Sequence, residues 1–508
     1  MSHNSRLRWR RRFRRRQSES EPEVFTPPRI RKRRRRMFIL LGAATVVLFG
    51  ALGSIFGPEV LSDDCGEGVV RRGGECVGIT DGSYVFAPEL SAVEKLIKAE
   101  NDQAAKRRDR VSVSIAYVFP LRPGKKDVSD VRSIRRDLEG AFVAQYTANH
   151  DTASEQPLIR LLLANIGADG GKWEPVVNTL AERVAGKDHL VATAGFGPSL
   201  GATRDAIRRL GELNIPRVSA TMTADDLVEI PTLRRVAPPN HIEVTAAVGH
   251  AREASNRALL VQDTNPADLY TRTLGDIFRN RYPDAADQLV SQDEYYDLKL
   301  GAAATTFTQM LPNICNGKPG VVYFAGRAPE LRDFLKVLAR RNCVSEHITV
   351  LSGDDAASLE GDRSLDQALA ANISVMFTAL AHPDAWQVPN AGSFFNQTTV
   401  ARFRDPTGIF QQRFPNESLA DGEVIMSHDA VLVAVTAIRQ AATSDHLQVT
   451  PADVEQTLNR LHGIQQVPGA SGYLSFDNTG SPTGKPIPLL ELTPGGVLTF
   501  RELLQSAA

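Results

Sequence analysis

The sequence predicts an α/β fold with parallel sheets, preceded by a basic tail and one transmembrane helix. Three observations support this prediction. From Arg110 onward, short β-branched runs alternate with amphipathic helical stretches, a pattern typical of βαβ units and of a parallel sheet covered on both faces. Before them, an arginine cluster abuts an uncharged apolar run. The chain beyond Arg110 holds about 400 residues, which is too long for one ordinary core and indicates two lobes.

Residues 1–36 form a basic tail that we predict to be disordered and cytoplasmic. They contain fifteen Arg and Lys against three Glu, so residues 37–508 of this formally neutral chain carry a net charge of −12. The acidic remainder has no polybasic surface that would indicate a nucleic-acid partner, and the tail carries few aromatic residues for base stacking. We therefore expect the tail to contact anionic lipid head groups and no nucleic acid.

Residues 37–57 are predicted to anchor the chain in the membrane. An apolar run of about 20 residues at ~1.5 Å per residue covers the ~30 Å hydrocarbon core. Because Lys and Arg stay on the cytoplasmic side, we expect a single-pass cell-membrane protein with a cytoplasmic N-terminus and an extracytoplasmic C-terminal domain. The alternative is a cleaved signal peptide. Ala51-Leu52-Gly53 has the small-x-small form of a cleavage site, but it lies inside the apolar run.

Residues 58–110 are predicted to form an extracytoplasmic linker or stalk, with a Gly-rich segment followed by a charged helix that starts at Pro88. Cysteines occur nearby and again further along the chain. An even number of cysteines in near pairs on an external protein indicates disulfides. Their spacings are not C-x-x-C and no histidine clusters with them, so we predict no metal site and no cofactor. The predicted bridges are Cys65 with Cys76, and Cys315 with Cys343.

The α/β region beyond Arg110 resolves into alternating elements. Ligands of parallel sheets bind at the carboxyl ends of strands, in the loops that lead to helices, so we expect binding residues in those loops. The predicted strands are 111–115, 190–193, 257–261, 320–324 and 348–351. The predicted helices are 131–149, 173–185, 202–213, 242–254, 267–281 and 330–341.

One loop matches a catalytic motif. Gly197-Pro198-Ser199-Leu200-Gly201 has the G-x-S-x-G pattern of a hydrolase nucleophile elbow, between an apolar strand and a helix. However, the later histidines lie in no distinctive motif, and no glycine run for an oxyanion hole precedes the serine. The other interpretation is a turn in which Ser199 and backbone N–H groups at a helix N-terminus bind an anion such as a carboxylate. We favour the second.

Five blocks of sequence, in matching order, carry a resemblance to a known family. They lie at 195–227, 261–270, 323–354, 427–432 and 472–480. The first contains GFGPS and NIPRVSATMTADDL, the fourth begins SHDA, and the last reads GYLSFDNTG. Together they cover roughly residues 111–505, and this part resembles the extracytoplasmic branched-chain amino-acid-binding proteins, the substrate-binding components of ABC transporters. His428 replaces the usual tyrosine of that family's YDAV motif.

The resemblance implies the type I periplasmic-binding fold, with two α/β lobes that each contain a parallel sheet and a ligand cleft between them. By this resemblance, lobe 1 comprises residues 111–238 and 382–478, and lobe 2 comprises residues 239–381 and 479–508. Three crossovers then join the lobes, near residues 236–240, 377–383 and 476–482.

The resemblance also implies a set of ligand-binding residues. Serine and threonine loops of the first lobe hold the ligand carboxylate in that family, and the second lobe supplies an aromatic residue and an acid for the ligand ammonium. Asp354 could instead cap a helix, the aromatic residue could simply pack in the core, and the two threonines could cap their loop. Arg327 stands where the family often has an aromatic residue, which would change the charge of the cleft and favour an anionic or larger ligand. The matching positions are Ser199, Thr221, Thr223, Tyr270, Arg327 and Asp354.

These features predict a membrane-anchored extracytoplasmic solute-binding protein and not an enzyme. It would capture a small polar ligand, an amino acid or a related molecule, between two hinged lobes. The closed form would then be recognised by an ABC-type permease or by a membrane signalling partner. Two alternatives remain, a secreted α/β hydrolase that uses Ser199 and a ligandless scaffold.

The predicted topology can be tested on intact cells. We expect external protease to remove residues 60–508 and to spare the basic tail, because the positive charge lies on the cytoplasmic side of the apolar run. Protection of a C-terminal tag would contradict this orientation. A mature protein that begins near Ser54 would instead establish cleavage.

Overall fold

The structure is a computed structural model. It describes residues 65–124, 127–150, 156–255, 257–281, 288–289, 293–297, 303–443 and 447–504. The predicted basic tail and membrane anchor lie outside these described residues.

The first lobe is built on a seven-stranded sheet. Its strands are β1 (Val69–Arg72), β2 (Glu75–Thr80), β3 (Ser112–Phe119), β4 (Leu158–Asn165), β5 (Leu190–Gly195), β6 (Arg217–Ser219) and β7 (Leu233–Arg235). Their order is β1-β2-β4-β3-β5-β6-β7. Strands β3 to β7 run parallel, and the β1–β2 hairpin lies antiparallel beside β4. Strands β3, β4 and β5 are buried along nearly their whole length, as expected for strands covered on both faces.

The second lobe is built on a separate sheet of the same type. Its strands are β8 (Arg257–Asp263), β9 (Gln288–Leu289), β10 (Glu294–Tyr296), β11 (Val321–Ala325), β12 (Ile348–Ser352) and β13 (Ile373–Thr378), completed by two late strands, β16 (Ile487–Thr493) and β17 (Val497–Leu504). A small hairpin, β14 (Val467–Pro468) with β15 (Tyr473–Leu474), precedes the late strands. The order is β10-β8-β11-β12-β13-β16-β17, with β9 beside β8. Among the described strands of this sheet, β16 and β17 alone pair antiparallel, along the edge of β13.

Helices cover both sheets. Those that precede β8 are α1 (Ser91–Lys106), α2 (Val131–His150), α3 (Trp173–Ala185), α4 (Gly201–Glu212) and α5 (Asn240–Ala254). Within the second lobe lie α6 (Leu269–Arg281), α7 (Ala303–Gly317), α8 (Ala328–Leu338) and α9 (Asp366–Leu369). After β13 come α10 (Gln397–Arg404), α11 (Ile409–Arg413), α12 (Glu423–Ala441) and α13 (Pro451–Leu458).

The chain passes between the two sheets three times, after β7, after β13 and after β15. The middle passage returns it to the first lobe, where α12 shares one apolar core with β3 and α2. The structure therefore has the two α/β lobes that the resemblance implies, each with a largely parallel sheet. The exact residue boundaries of the lobes remain a prediction.

The segment expected to be a linker or stalk is partly folded into the first lobe. From Cys65 on, it supplies β1, β2 and α1, and Cys65, Val69 and Ile97 belong to the lobe's core. Apolar residues spaced along α1 give it a face that must be buried, so it packs on the sheet and does not extend as a stalk. Both predicted cysteine pairs stand at disulfide-bonding distance, with Cα–Cα separations of 5.7 Å for the first pair and 5.6 Å for the second.

Helix α12 is the one helix among the described residues that is long and apolar enough to cross a membrane, but it lies in the core of the first lobe. It crosses α2 at Gly140, where a Cβ atom would overlap the Val424 carbonyl oxygen and the Ser427 hydroxyl. Glycine is therefore required for these two helices to approach so closely. This contact places the beginning of α12 beside Asp137, one turn before Gly140 on α2.

The close approach predicts opposite effects for two Gly→Ala substitutions. Gly140→Ala should lower the melting temperature, because the new methyl group forces the helices apart at a cost of about 1–3 kcal/mol. Gly249→Ala is the matched control at an exposed position of α5, where a Cβ atom would meet nothing within 4 Å. It should raise the melting temperature, because alanine favours a helix by roughly 0.5–1 kcal/mol over glycine. Equal effects of both substitutions would contradict the packing.

Candidate functional site

A cleft of about 440 Å³ lies between the lobes, at the carboxyl ends of strands from both sheets. This is where parallel sheets present ligand loops. The structure brings all six residues expected to bind ligand to the wall of this one cavity: Ser199, Thr221, Thr223, Tyr270, Arg327 and Asp354. Their role in binding remains a prediction, and their individual contacts differ from what was expected.

Ser199 supports the neighbouring loop. It is 2% exposed, and its hydroxyl oxygen accepts hydrogen bonds from the backbone N–H groups of Thr223 at 3.1 Å and Ala224 at 3.3 Å. The serine thus orders the loop after β6, although it was expected to contact the ligand carboxylate directly. The loop after β5 is tightly bent at Phe196, whose φ of 80° is unusual for a bulky residue.

Thr223 offers a hydrogen-bonding group with no partner in the protein. It is 1% exposed, yet its Oγ1 atom is buried without any hydrogen bond. Most buried polar groups are satisfied, so a buried unpaired hydroxyl that lines a cleft is available to a ligand. Thr221, two residues earlier, also lines the cavity and is partly exposed.

Arg327 is neutralised within the protein. Its guanidinium donates to both carboxylate oxygens of Asp268, at 2.7 and 2.8 Å, and to Asp355 at 3.0 Å. Bidentate pairs of this kind are strong and geometrically specific. The expectation that Arg327 makes the cleft favourable for an anionic ligand is therefore not supported, because two carboxylates already balance its charge.

Tyr270 packs against the ion pairs that Arg327 forms with the two aspartates. The Arg327 guanidinium carbon lies 4.3 Å from the centre of the Tyr270 ring, a cation–π contact. The Tyr270 hydroxyl accepts a hydrogen bond from the backbone N–H of Asp355 at 3.1 Å. The tyrosine is 1% exposed, so packing and positioning of its neighbours account for most of its contacts.

Asp354 follows β12 and begins a short 3-10 helix whose N-cap residue is Gly353. No side-chain cap hydrogen bond is made there. It is the next residue, Asp355, that accepts from the backbone N–H of Ala328 at 2.6 Å and so supports the start of α8. Asp354 Oδ1 is buried without a partner. Burial, and secondarily the charge of Asp355, raises the pKa of Asp354 to about 7.

Several acidic residues that the sequence patterns did not indicate also line the cleft, among them Asp137 on α2, and Asp421 and Glu423 at the start of α12. Asp137 is 0% exposed, accepts from the Tyr117 hydroxyl at 2.9 Å and leaves Oδ2 unpaired. A signal existed in the sequence, since Asp137 interrupts the apolar stripe of α2, which includes Ile134 and Ala141.

Polar contacts close the cleft on the side of α2. Arg132 donates to the carbonyl oxygens of Glu360 at 2.9 Å and Ser358 at 3.0 Å, both in the second lobe. Arg136 forms ion pairs with Glu360 and with Asp421. The bonds of Arg132 and Arg136 to residues 358–360 join α2 of the first lobe to the second lobe, so the structure is a closed form.

Backbone contacts close the opposite side. The N–H of Leu269 donates to the Ser199 carbonyl at 3.1 Å, and the N–H of Gly201 donates to the Ala267 carbonyl at 3.0 Å. His428, at the position of the family's tyrosine, lies away from the cavity in the core, 2.8 Å from Asp429. Among the described residues that line the cleft, none is a histidine.

No family model and no curated protein matches this sequence. Solved structures do match it. The leucine-binding protein LivK of Thermotoga maritima has a TM-score of 0.57 at 18% identity, covering 77% of this chain and 98% of that one. The branched-chain amino-acid transporter substrate-binding protein LivJ of Streptococcus pneumoniae, in complex with isoleucine, has a TM-score of 0.58 at 15% identity. The match covers 78% of this chain and 99% of that one. A Rhodopseudomonas palustris solute-binding protein, in complex with 3,4-dihydroxybenzoic acid, has a TM-score of 0.57 at 14% identity. The match covers 78% of this chain and 98% of that one. These similarities establish the type I periplasmic-binding fold.

The raised pKa of Asp354 predicts a pH dependence of stability. A carboxyl group whose folded pKa lies above its unfolded value of about 3.9 costs stability as the pH rises between the two values. Asp354→Asn should remove that cost, so the variant should gain melting temperature over the unmodified protein at pH 8 and little at pH 4. Asp333→Asn, on the exposed face of α8, is the control. A difference that does not change between pH 4 and pH 8 would contradict the assignment.

Proposed function

We propose that this protein is a membrane-anchored extracytoplasmic solute-binding protein that closes two lobes around a small polar ligand. The observation that carries the proposal is the cleft itself, lined by strand-end loops of both lobes that leave buried polar atoms without partners. The structural neighbours are solute-binding proteins of ABC transporters, and their solved ligands include amino acids and aromatic acids. The partner that we propose is accordingly an ABC-type permease or a membrane signalling protein.

The ligand polarity follows from the two walls. On the first lobe, the Thr221 and Thr223 hydroxyls offer hydrogen bonds to a carboxylate or another acceptor. On the second lobe, Asp354 offers an unpaired carboxylate oxygen to an ammonium group. A zwitterion such as an amino acid satisfies both walls. Closure of the lobes then completes the site, and binding energy stabilises the closed form.

Membrane attachment rests on the apolar run at residues 37–56 and the arginine cluster that precedes it. The tail is held on the cytoplasmic side by its charge, and the folded lobes lie on the other face of the membrane. There they meet external solutes, and the predicted disulfides are compatible with such an oxidising compartment.

The contacts of Ser199 favour binding over hydrolysis. A serine nucleophile requires a base within hydrogen-bonding reach, but the Ser199 oxygen accepts from two backbone N–H groups and no histidine is among the described residues that line the cleft. We expect a fluorophosphonate probe to leave the protein unlabelled. Labelling that Ser199→Ala abolishes would establish the hydrolase instead.

The proposed function is tested by a thermal-shift screen with amino acids, amides, polyamines and short peptides. We expect at least one ligand to raise the melting temperature. Thr223→Val should then weaken binding of that ligand roughly two- to tenfold, because one neutral hydrogen bond contributes about 0.5–1.5 kcal/mol. The substitution removes no hydrogen bond of the protein, so the melting temperature of the ligand-free protein should not fall.

Thr203→Val is the matched control for this measurement. Thr203 is also 1% exposed and has an unpaired Oγ1, but it lies on α4 and does not line the cleft. Its replacement should leave affinity unchanged. Equal losses of affinity in the two variants would contradict a ligand contact at Thr223.

A further inference from the structure

The acid pair formed by Asp137 and Glu423 lies on the first-lobe wall of the cleft. Asp137 is fully buried, and its Oδ2 atom has no hydrogen-bond partner. Glu423 opens α12 after Gly422, whose φ of 84° turns the chain into the helix. The helix crossing at Gly140 holds the two carboxyl groups on one wall. They face Asp354 of the second lobe across the same cavity.

The positive groups around this cavity are already engaged. Arg136 pairs with Asp421 and Glu360, and Arg327 pairs with Asp268 and Asp355. The other lining arginine, Arg332, pairs with Asp362. No lysine is among the described residues that line the cleft. Asp127, at the Gly124 loop, accepts only from the Gly124 backbone N–H, at 2.7 Å, within the described part of the chain. Apart from it, three lining carboxyl groups are left without a basic partner among the described residues: Asp137, Glu423 and Asp354.

The charges of Asp137 and Asp354 disfavour ionisation of Glu423. Burial raises the pKa of Glu423 well above its usual value, and the charges of Asp137, Asp421, Asp354 and Asp355 raise it further. Burial likewise raises the pKa of Asp137, against the Tyr117 hydroxyl bond, which lowers it. Like charges on buried groups are costly, so closure of the lobes favours either protons or a cation there.

We propose that the ligand carries a second cationic nitrogen, an ammonium or guanidinium group, which binds between Asp137 and Glu423. This inference rests on the proposed solute-binding function and names its ligand class. One cationic group meets Asp354 and the other meets the acid pair, so the ligand is a basic amino acid or a diamine. A cavity of about 440 Å³ accommodates either. The described residues contain no cluster of three His, Cys, Asp or Glu arranged to hold a metal ion, which favours an organic cation.

The decisive experiment compares charged ligands with their neutral isosteres on the full-length protein. Lysine and arginine should each bind at least tenfold more tightly than norleucine and citrulline. Cadaverine and agmatine, which lack the carboxylate, separate the two sources of the same chemistry. Tighter binding of lysine and arginine than of these amines assigns a basic amino acid, and the reverse assigns a diamine.

The acid pair itself is tested with amides of the same size. Asp137→Asn and Glu423→Gln should each weaken binding of the preferred cation roughly ten- to a hundredfold, as expected for loss of a charge-assisted hydrogen bond. Binding of the neutral isostere should change less than about threefold. Glu139→Gln is the control, because Glu139 is also buried on α2 but does not line the cleft. It should leave the preference for the cation intact.

A second measurement needs no variant. A cation that enters the acid pair displaces the protons held there, so calorimetry at pH 6–7 in buffers of different ionisation enthalpy should show net proton release. Absence of proton release, equal affinity for lysine and norleucine, or tighter binding of Mg²⁺ or Ca²⁺ than of any amine would overturn the inference.

The outcomes also separate this inference from the function on which it rests. If a neutral or anionic solute binds and no cation does, the cation position is overturned and the solute-binding function stands. If no small molecule in either screen raises the melting temperature, the solute-binding function fails and the cation position fails with it.

Discussion

The close crossing of α2 and α12 at Gly140 is the constraint on which the site depends. Helix α12 comes after β8 to β13 in the chain, yet it completes the core of the first lobe. It can do so because glycine at position 140 lets α2 and α12 pack in direct contact. The same contact sets Asp137 and the start of α12 side by side on the cleft wall. The packing of the first lobe and the acidic character of its cleft wall therefore both depend on the helix contact at Gly140.

The electrostatics of the cleft depend on the ion pairs that its arginines form with carboxylates of the protein. Arg327 could have served an anionic ligand, but Asp268 and Asp355 hold it against the Tyr270 ring. The cluster is part of the scaffold that carries Asp354 beside it. The carboxyl groups that remain without a basic partner make this part of the cavity wall acidic.

Much of the fold could be predicted from the sequence because its signals are local. The predicted helices 131–149 and 173–185 end within one residue of α2 and α3. Strand β4 was missed because its leucine-rich run has a single β-branched residue, Ile159, of the kind that marks strands. Strand β1 was assigned to a linker. Residues that line the cleft could be predicted where they follow strand ends, as at Asp354, whereas their role in binding stays a prediction. Contacts between distant segments were not predictable, so neither the neutralisation of Arg327 nor the proximity of Asp137 to Glu423 could be read from local patterns.

The three passages between the lobes have a consequence for biosynthesis. The ion pair of Arg136 with Asp421 joins residues 285 positions apart, and β13 meets β16 only when the last part of the chain is available. The first lobe therefore waits for α12, and the second lobe waits for the late strands β16 and β17. Contacts of such long sequence separation form slowly. Until α12 and β16 have been made, the nascent chain carries an uncovered apolar face on α2 and an unpaired edge on β13. A chain that ends before these segments would expose such surface, which favours aggregation.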